Sequence, residues 1–121
     1  MLGVDPSDVA LIAVKKGIAT IREFFNEGLA AKMVKEHGKA KVIASLNTFA
    51  HVSALDSFVR GVRDLLTDDG VFITESHYVL DLITGLQYDF IYHEHCRYYA
   101  VRTQVHLFEK HGMEVFDVVR I

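Results

Sequence analysis

Tyr92-His93-Glu94-His95 sets two imidazoles, a carboxylate and a phenol in consecutive positions, and Asn47-Thr48-Phe49-Ala50-His51 supplies a further imidazole upstream. Four adjacent side chains that titrate or hydrogen-bond are expensive to bury and have no packing reason to cluster. An imidazole oriented by a carboxylate is the usual general base for removing a carbon-bound or hydroxyl proton. The chemistry expected is therefore proton transfer. In an extended segment His93 and His95 would project to one side, and Tyr92 and Glu94 to the other. The alternative is a solvated loop rich in polar groups.

The same cluster raises the possibility of a metal, since His-x-His plus a carboxylate supplies three ligands and His51 or His77 a fourth. No partner stands at a diagnostic spacing, and no metal is assigned. Cys96 beside the cluster reads as a small buried hydrophobe. His37, His106 and His111 lie near helix ends and read as surface or helix-terminal residues.

These groups need a scaffold, and apolar runs alternating with amphipathic stretches provide one. Leu2 to Asp5 is a short strand ending at an acid, and Ser7 caps a helix whose Val9, Ile12 and Ala13 share a face. Gly17 stops that helix, and Ile18 to Ile21 is a second strand. Asn26 caps a helix carrying Leu29, Met33, Val34 and His37 on one side, with Gly38 as its stop. Lys41 to Leu46 is a strand covered on both faces. Ser53 caps the clearest helix, with Asp56 returning the bond, and Leu55, Phe58, Val59, Val62, Leu65 and Leu66 form its buried stripe.

Asp68-Asp69-Gly70 is expected to turn into a strand over Val71 to Thr74. A helix from Val79 to Leu86 then leads into the Tyr92 cluster. A last helix aligns Val101, Val105 and Phe108, stops at Gly112, and precedes a strand over Met113 to Val119. Alternating strands and helices point to an α/β fold with a mostly parallel sheet and right-handed crossovers.

In such sheets ligands lie beyond the carboxyl ends of the strands. The residues there are Asp5, Glu23 to Phe25, Asn47 to His51 and Glu75 to Tyr78. Asp5 could accept both hydroxyls of a ribose or simply be a turn residue before Pro6. Phe24 and Phe25 could stack on a purine or belong to the core. Asn47 could bind a ligand or be a turn amide.

A chain of 121 residues, half of them hydrophobic, suits one domain with a substantial core. Its formal charge of -3, without a basic block, argues against nucleic acid as a partner. A single cysteine, no signal peptide pattern and no apolar stretch near the roughly 20 residues of a membrane span point to the cytoplasm and away from a membrane.

Several of these segments together carry a resemblance. Gly3-Val-Asp-Pro-Ser7, Asn47-x-Phe-Ala-His-Val52, Leu65-Leu-x-Asp-Asp-Gly-Val-Phe-Ile73, Tyr92-His-Glu-His95 and Leu107-Phe-Glu-Lys-His-Gly-Met-Glu-Val115 are similar to the S-adenosylmethionine-dependent sugar C-methyltransferases. The resemblance spans nearly the whole chain. It implies a Rossmann-like class I methyltransferase fold, S-adenosylmethionine as cofactor and a nucleotide-linked 4-keto deoxysugar as substrate. A proton would leave the carbon beside the sugar ketone, and the enolate would take the methyl group. By the same resemblance His95 is the base, while His51, Tyr92 and Glu94 hold the substrate or steady the enolate. Asp5 binds the cofactor ribose, and Phe24 and Asn47 line the adenosine and methionine sites.

The departures shape a further expectation. A zinc-binding cysteine-rich domain, the first strand with its glycine-rich loop, the antiparallel strand beside the last one and a C-terminal domain have no counterpart in these residues. Residues 1–121 then form a single partial catalytic domain, impaired on its own. Ala100 stands where a capping Ser is expected, which weakens that helix start by about 1 kcal/mol. The missing strand would lie centrally, so the strands are expected to close the gap or to pair with a second copy in a homodimer. A non-catalytic oligomerising or ligand-binding domain is the competing reading.

Overall fold

The computed structural model describes residues 1–121. Parallel strands β1 (Gly3–Val4) and β2 (Thr20–Ile21) are connected by α1 (Val9–Lys15), and parallel strands β3 (Ala40–Leu46) and β4 (Leu66–Glu75) by α3 (Leu55–Leu65). Between the two pairs runs α2 (Glu27–His37), and after them come α4 (Val79–Thr84) and α5 (Val101–Lys110). No ladder joins the two pairs of strands, which remain separate two-stranded sheets. The gap expected from the sequence is therefore not closed within the chain.

Side chains connect what backbone does not. Leu29, Ala30 and Met33 of α2 are buried, and Val4 and Ile21 from one sheet and Ala40 and Ile43 from the other pack against them. The start of α2 is set locally, because Asn26 accepts the Leu29 amide at 3.0 Å, satisfying a donor that a helix start leaves unpaired. Gly38, with φ of 80°, ends it as expected. Helix α3 lies against α2 at Gly61, where a Cβ would stand 3.1 Å from the Asn26 backbone.

The apolar stripe of α3 is buried through Phe58, Val59, Val62 and Leu65. Its expected cap is not made. Ala54 occupies the cap position, the Ser53 carbonyl instead accepts from Arg97, and Asp56 binds Lys110 and His111 across the fold. His111 is helix-terminal, as expected, but buried rather than on the surface. Phe49 anchors the larger core, fully enclosed with its ring centroid 5.1 Å from Tyr99, 5.7 Å from Phe58 and 5.8 Å from Phe108.

The turn expected at Asp68 to Gly70 is a bulge inside β4, where residues 67 to 70 sit opposite Lys41 alone and Asp69 pairs with that lysine. A Cβ on Gly70 would lie 2.9 Å from Leu66 and 3.0 Å from the Thr67 carbonyl, so the bulge needs glycine there.

Two further expectations are corrected, and a third, the weakened start of α5, is met. Val9 and Ile12 of α1 are exposed and only Ala10 of that helix is buried, because no second layer covers α1. Residues 113 to 119 form no strand. Met113 and Val115 pack on the Phe49 core, but Phe116, Val118 and Val119 are exposed, and an open groove lies between this segment and β4 where a ladder would form. Helix α5 begins at Ala100 without a side-chain acceptor, and the Thr103 hydroxyl partly replaces the missing cap by accepting the Ala100 amide at 3.2 Å.

Candidate active site

Residues 92 to 95 form a tight turn, not an extended segment, closed by the His95 amide donating to the Tyr92 carbonyl at 3.0 Å. The turn lays the Tyr92 ring over the His95 ring, centroids 4.1 Å apart, and sets the Tyr92 hydroxyl 2.8 Å from His95 Nε2. It also separates the two histidines expected on one side. His93 points to solvent beside Glu94, and His95 is 7 % exposed.

Long-range bonds pin this turn to the segment after β3. The Cys96 amide donates to the Ala50 carbonyl at 3.0 Å, Arg97 donates to the Val52 and Ser53 carbonyls, and the Tyr99 hydroxyl donates to the Phe49 carbonyl at 3.2 Å. Cys96 is exposed rather than buried, since its backbone is tied down at the rim. Phe49 and Ala50 are buried, so His51 is carried on an anchored turn (Phe49–His51).

Three imidazoles meet as a result. His51 and His77 flank His95 with ring centroids 4.9 Å and 4.8 Å away. His51 Nδ1 donates to the backbone carbonyl of Glu94 at 2.9 Å, so Glu94 serves the cluster through its main chain while its carboxylate stays in solvent. His77, just beyond the end of β4, packs edge-on to Phe90 at 4.6 Å. Burial, followed by the nearby His95 and His51, holds the His77 imidazole below its ordinary pKa, with Glu75 opposing. His77 is thus kept neutral.

The tautomer of His95 follows from its partners. Nδ1 lies 2.8 Å from the Phe90 carbonyl, which only accepts, so Nδ1 carries the proton and Nε2 presents a lone pair to the Tyr92 hydroxyl. The Tyr98 hydroxyl donates to the same Phe90 carbonyl at 3.2 Å. A buried imidazole with one nitrogen fixed as donor and the other basic is the arrangement a general base requires. The rings meet through their faces and edges, and no set of three His, Cys, Asp or Glu side chains converges to hold a metal ion.

The other strand-end residues make no hydrogen bond to these rings, although Glu75 acts on His77 through its charge. Asn47 adopts φ of 52°, in the left-handed region that asparagine tolerates, and donates from Nδ2 to Glu75 Oε1 at 2.6 Å across the ends of β3 and β4. Asp5 Oδ1 accepts the Ser7 hydroxyl at 2.5 Å and the Ser7 amide at 2.8 Å. Those bonds, the hydroxyl first, hold its carboxyl below the usual range. Its second oxygen has no partner in the chain, so the turn role and a ribose contact are compatible. The phenylalanine pair divides: Phe25 packs edge-on to Phe58 at 5.1 Å, whereas Phe24 is 76 % exposed beyond β2.

An open groove runs beside β4 and is lined by Asn47, Glu75, His77, Tyr78, Phe116 and Val119. It reaches the imidazole cluster through His77. Glu75 and His77 are legible in the sequence as strand-end residues without a role in proton transfer, and Phe90 and Tyr98 carry no signal there. The strand-end position was the available signal for the first two. Phe90 acts through its carbonyl, which no side-chain pattern reveals.

Residues 1–118 match the model of a family described as "Methyltransferase domain". The chain is similar to the C-methyltransferase NovU of Streptomyces niveus, 34% identical over 119 residues. That match covers 98% of this chain and 28% of NovU, so the chain spans little more than a quarter of that relative's length. No helix is long and apolar enough to cross a membrane. The parallel strand pairs, their crossover helices and the family match agree on a Rossmann-like class I methyltransferase architecture. The chain belongs to the methyltransferase family.

Proposed function

We propose that this chain is the catalytic segment of an S-adenosylmethionine-dependent C-methyltransferase that acts on a nucleotide-linked keto-deoxysugar. The observation that carries the reading is His95, a buried imidazole with Nδ1 held by a carbonyl and Nε2 presenting its lone pair to a phenol. Carbon methylation next to a ketone needs a proton removed from that carbon, and His95 is the base that receives it. His51 and Tyr92 border it and hold the sugar or steady the enolate oxygen. Glu94 helps by fixing His51 through its carbonyl.

The residues at the strand ends fit the cofactor in part. Asp5 is ionised with one oxygen free for ribose hydroxyls, Phe24 offers an exposed ring for adenine, and Asn47 stands at the groove for the methionine portion. When bound, S-adenosylmethionine supplies an electrophilic methyl group on a positively charged sulfur, which the enolate carbon takes. The name of the Streptomyces relative supports carbon as the methylated atom.

Calorimetry and product analysis test this. Binding of S-adenosylmethionine that Asp5→Ala abolishes, with labelled methyl transfer, slow in this segment alone, to a thymidine-diphosphate-linked 4-keto deoxysugar, is the expected result. No heat at millimolar cofactor together with no labelled sugar would reject it.

A second reading draws on the unjoined sheets. Val42, Leu46 and Ile73 stay exposed on one face of β3 and β4, and each sheet retains free edges. A homodimer pairing those edges would cover them. Light scattering that returns the mass of two chains supports it, and the mass of one chain with a cooperative melt removes it.

A further inference from the structure

The route by which a proton reaches His95 is constrained more tightly than the base assignment alone requires. Both ring nitrogens are occupied, Nδ1 by the Phe90 carbonyl at 2.8 Å and Nε2 by the Tyr92 hydroxyl at 2.8 Å. His51 and His77 flank the ring and Tyr98 stands edge-on at 5.9 Å. The imidazole is 7 % exposed while Tyr92 is 42 % exposed. The basic nitrogen therefore meets the outside through one oxygen.

We propose that Tyr92 is the catalytic residue in contact with the substrate and that it relays the substrate proton to His95. This rests on the C-methyltransferase reading and changes the part Tyr92 plays in it. The Tyr92 oxygen takes the proton from the carbon beside the ketone as its own hydroxyl proton passes to His95 Nε2. The C–H bond electrons become the enolate, the phenol is neutral before and after, and the imidazole ends as imidazolium. The positive charge stays within the cage, where the Phe90 carbonyl accepts the Nδ1 proton. Before the next turnover the Nε2 proton returns to the Tyr92 oxygen as that oxygen releases a proton to water.

The 92–95 turn explains why this pair forms. A turn closed by the His95 amide on the Tyr92 carbonyl brings two side chains three residues apart onto one side. An intervening hydroxyl also positions the carbon acid at hydrogen-bonding distance from a fixed oxygen, without requiring the buried ring to swing out.

The test is hydrogen exchange at the substrate carbon in D2O, which needs no methyl donor. With a thymidine-diphosphate-linked 4-keto deoxysugar, proton NMR is expected to show loss of the adjacent C–H signal with the wild-type chain. Tyr92→Phe is expected to slow that exchange by about 100-fold or more, the scale of a lost acid–base group. Tyr92→Phe/His95→Asn is expected to be no slower than either single variant, because the two act in series. Exchange at the wild-type rate in Tyr92→Phe, or additive losses in the double variant, would overturn the relay. No exchange with the wild-type chain would count against the C-methyltransferase reading. The relay itself then stands or falls on long-range 15N NMR of the wild-type chain: Nδ1 protonated and Nε2 accepting in neutral His95 supports it, and the opposite tautomer ends it.

Discussion

His51 Nδ1 lies 2.9 Å from the backbone carbonyl of Glu94, so the loop after β3 and the turn before α5 are tied at the point where the imidazoles converge. A neighbouring bond joins the same two segments, from the Cys96 amide to the Ala50 carbonyl. His51→Ala removes the first and leaves the second as a reporter. Exchange of the Cys96 amide is expected to quicken by about fivefold, the equivalent of a net hydrogen bond near 1 kcal/mol. An unchanged rate would show that the turn docks without His51.

His95→Asn keeps a polar side chain in the cage but removes the basic nitrogen. Turnover is expected to fall by about 100-fold or more with the melting temperature little changed. Steady-state assay beside thermal denaturation separates the two effects, and full activity would exclude His95 as the base.

His77 gives the site a pH signature. Its pKa in the fold lies below the unfolded value near 6.5, so the unfolded chain binds the proton more readily. The stability tied to neutral His77 is present above that unfolded value and declines as pH falls below it, levelling once pH passes the folded value. Wild-type denaturation midpoints are expected to decline from pH 7.5 to 5.5 more steeply than those of His77→Gln. Parallel slopes would contradict this.

Asp56 should act in a more acidic window. Its hydrogen bond from Lys110, then that from His111, hold its carboxyl below the ordinary range. A depressed carboxyl contributes stability above its unfolded value, near 3.9, that is lost as pH falls through the folded value. Between pH 5 and the acid transition, Asp56→Asn is expected to show a flatter dependence of melting temperature on pH than the wild type.

Phe49 unites the two kinds of structure. Its ring is fully buried among four other aromatic rings, and its neighbour Ala50 accepts the Cys96 amide. Phe49→Ala is expected to cost about 3–5 kcal/mol in denaturant titration, the range for removing a buried aromatic. A loss below about 1 kcal/mol would mean that the surrounding rings collapse into the space.

What could be read from the residues was largely local. The α3 stripe, the Asn26 cap and the stops at Gly17, Gly38 and Gly112 depend on neighbours within a few positions, and the structure contains each of them. The errors arose where distant partners intervened. Asp56 leaves its own helix start for Lys110 and His111, and residues 113 to 119 alternate like a strand but make no ladder with the free edge of β4. At the site, the residue types were visible and their mutual geometry was not. The 92–95 turn is held by Ala50, Val52 and Ser53 from far upstream, and Phe90 contributes an oxygen that every residue possesses.

The separation of the two sheets has a mechanical corollary. Asp5 and Asn47 follow strands that share no ladder, so their spacing is governed by how Leu29 and Met33 wedge between Val4 and Ile43. Methionine is an adaptable filler, and a span governed by it yields where a hydrogen-bonded ribbon would be stiff. The jaws that would grip the two ends of one small molecule are thus sprung on a single helix, and trimming Met33 would retune their bite without touching either jaw.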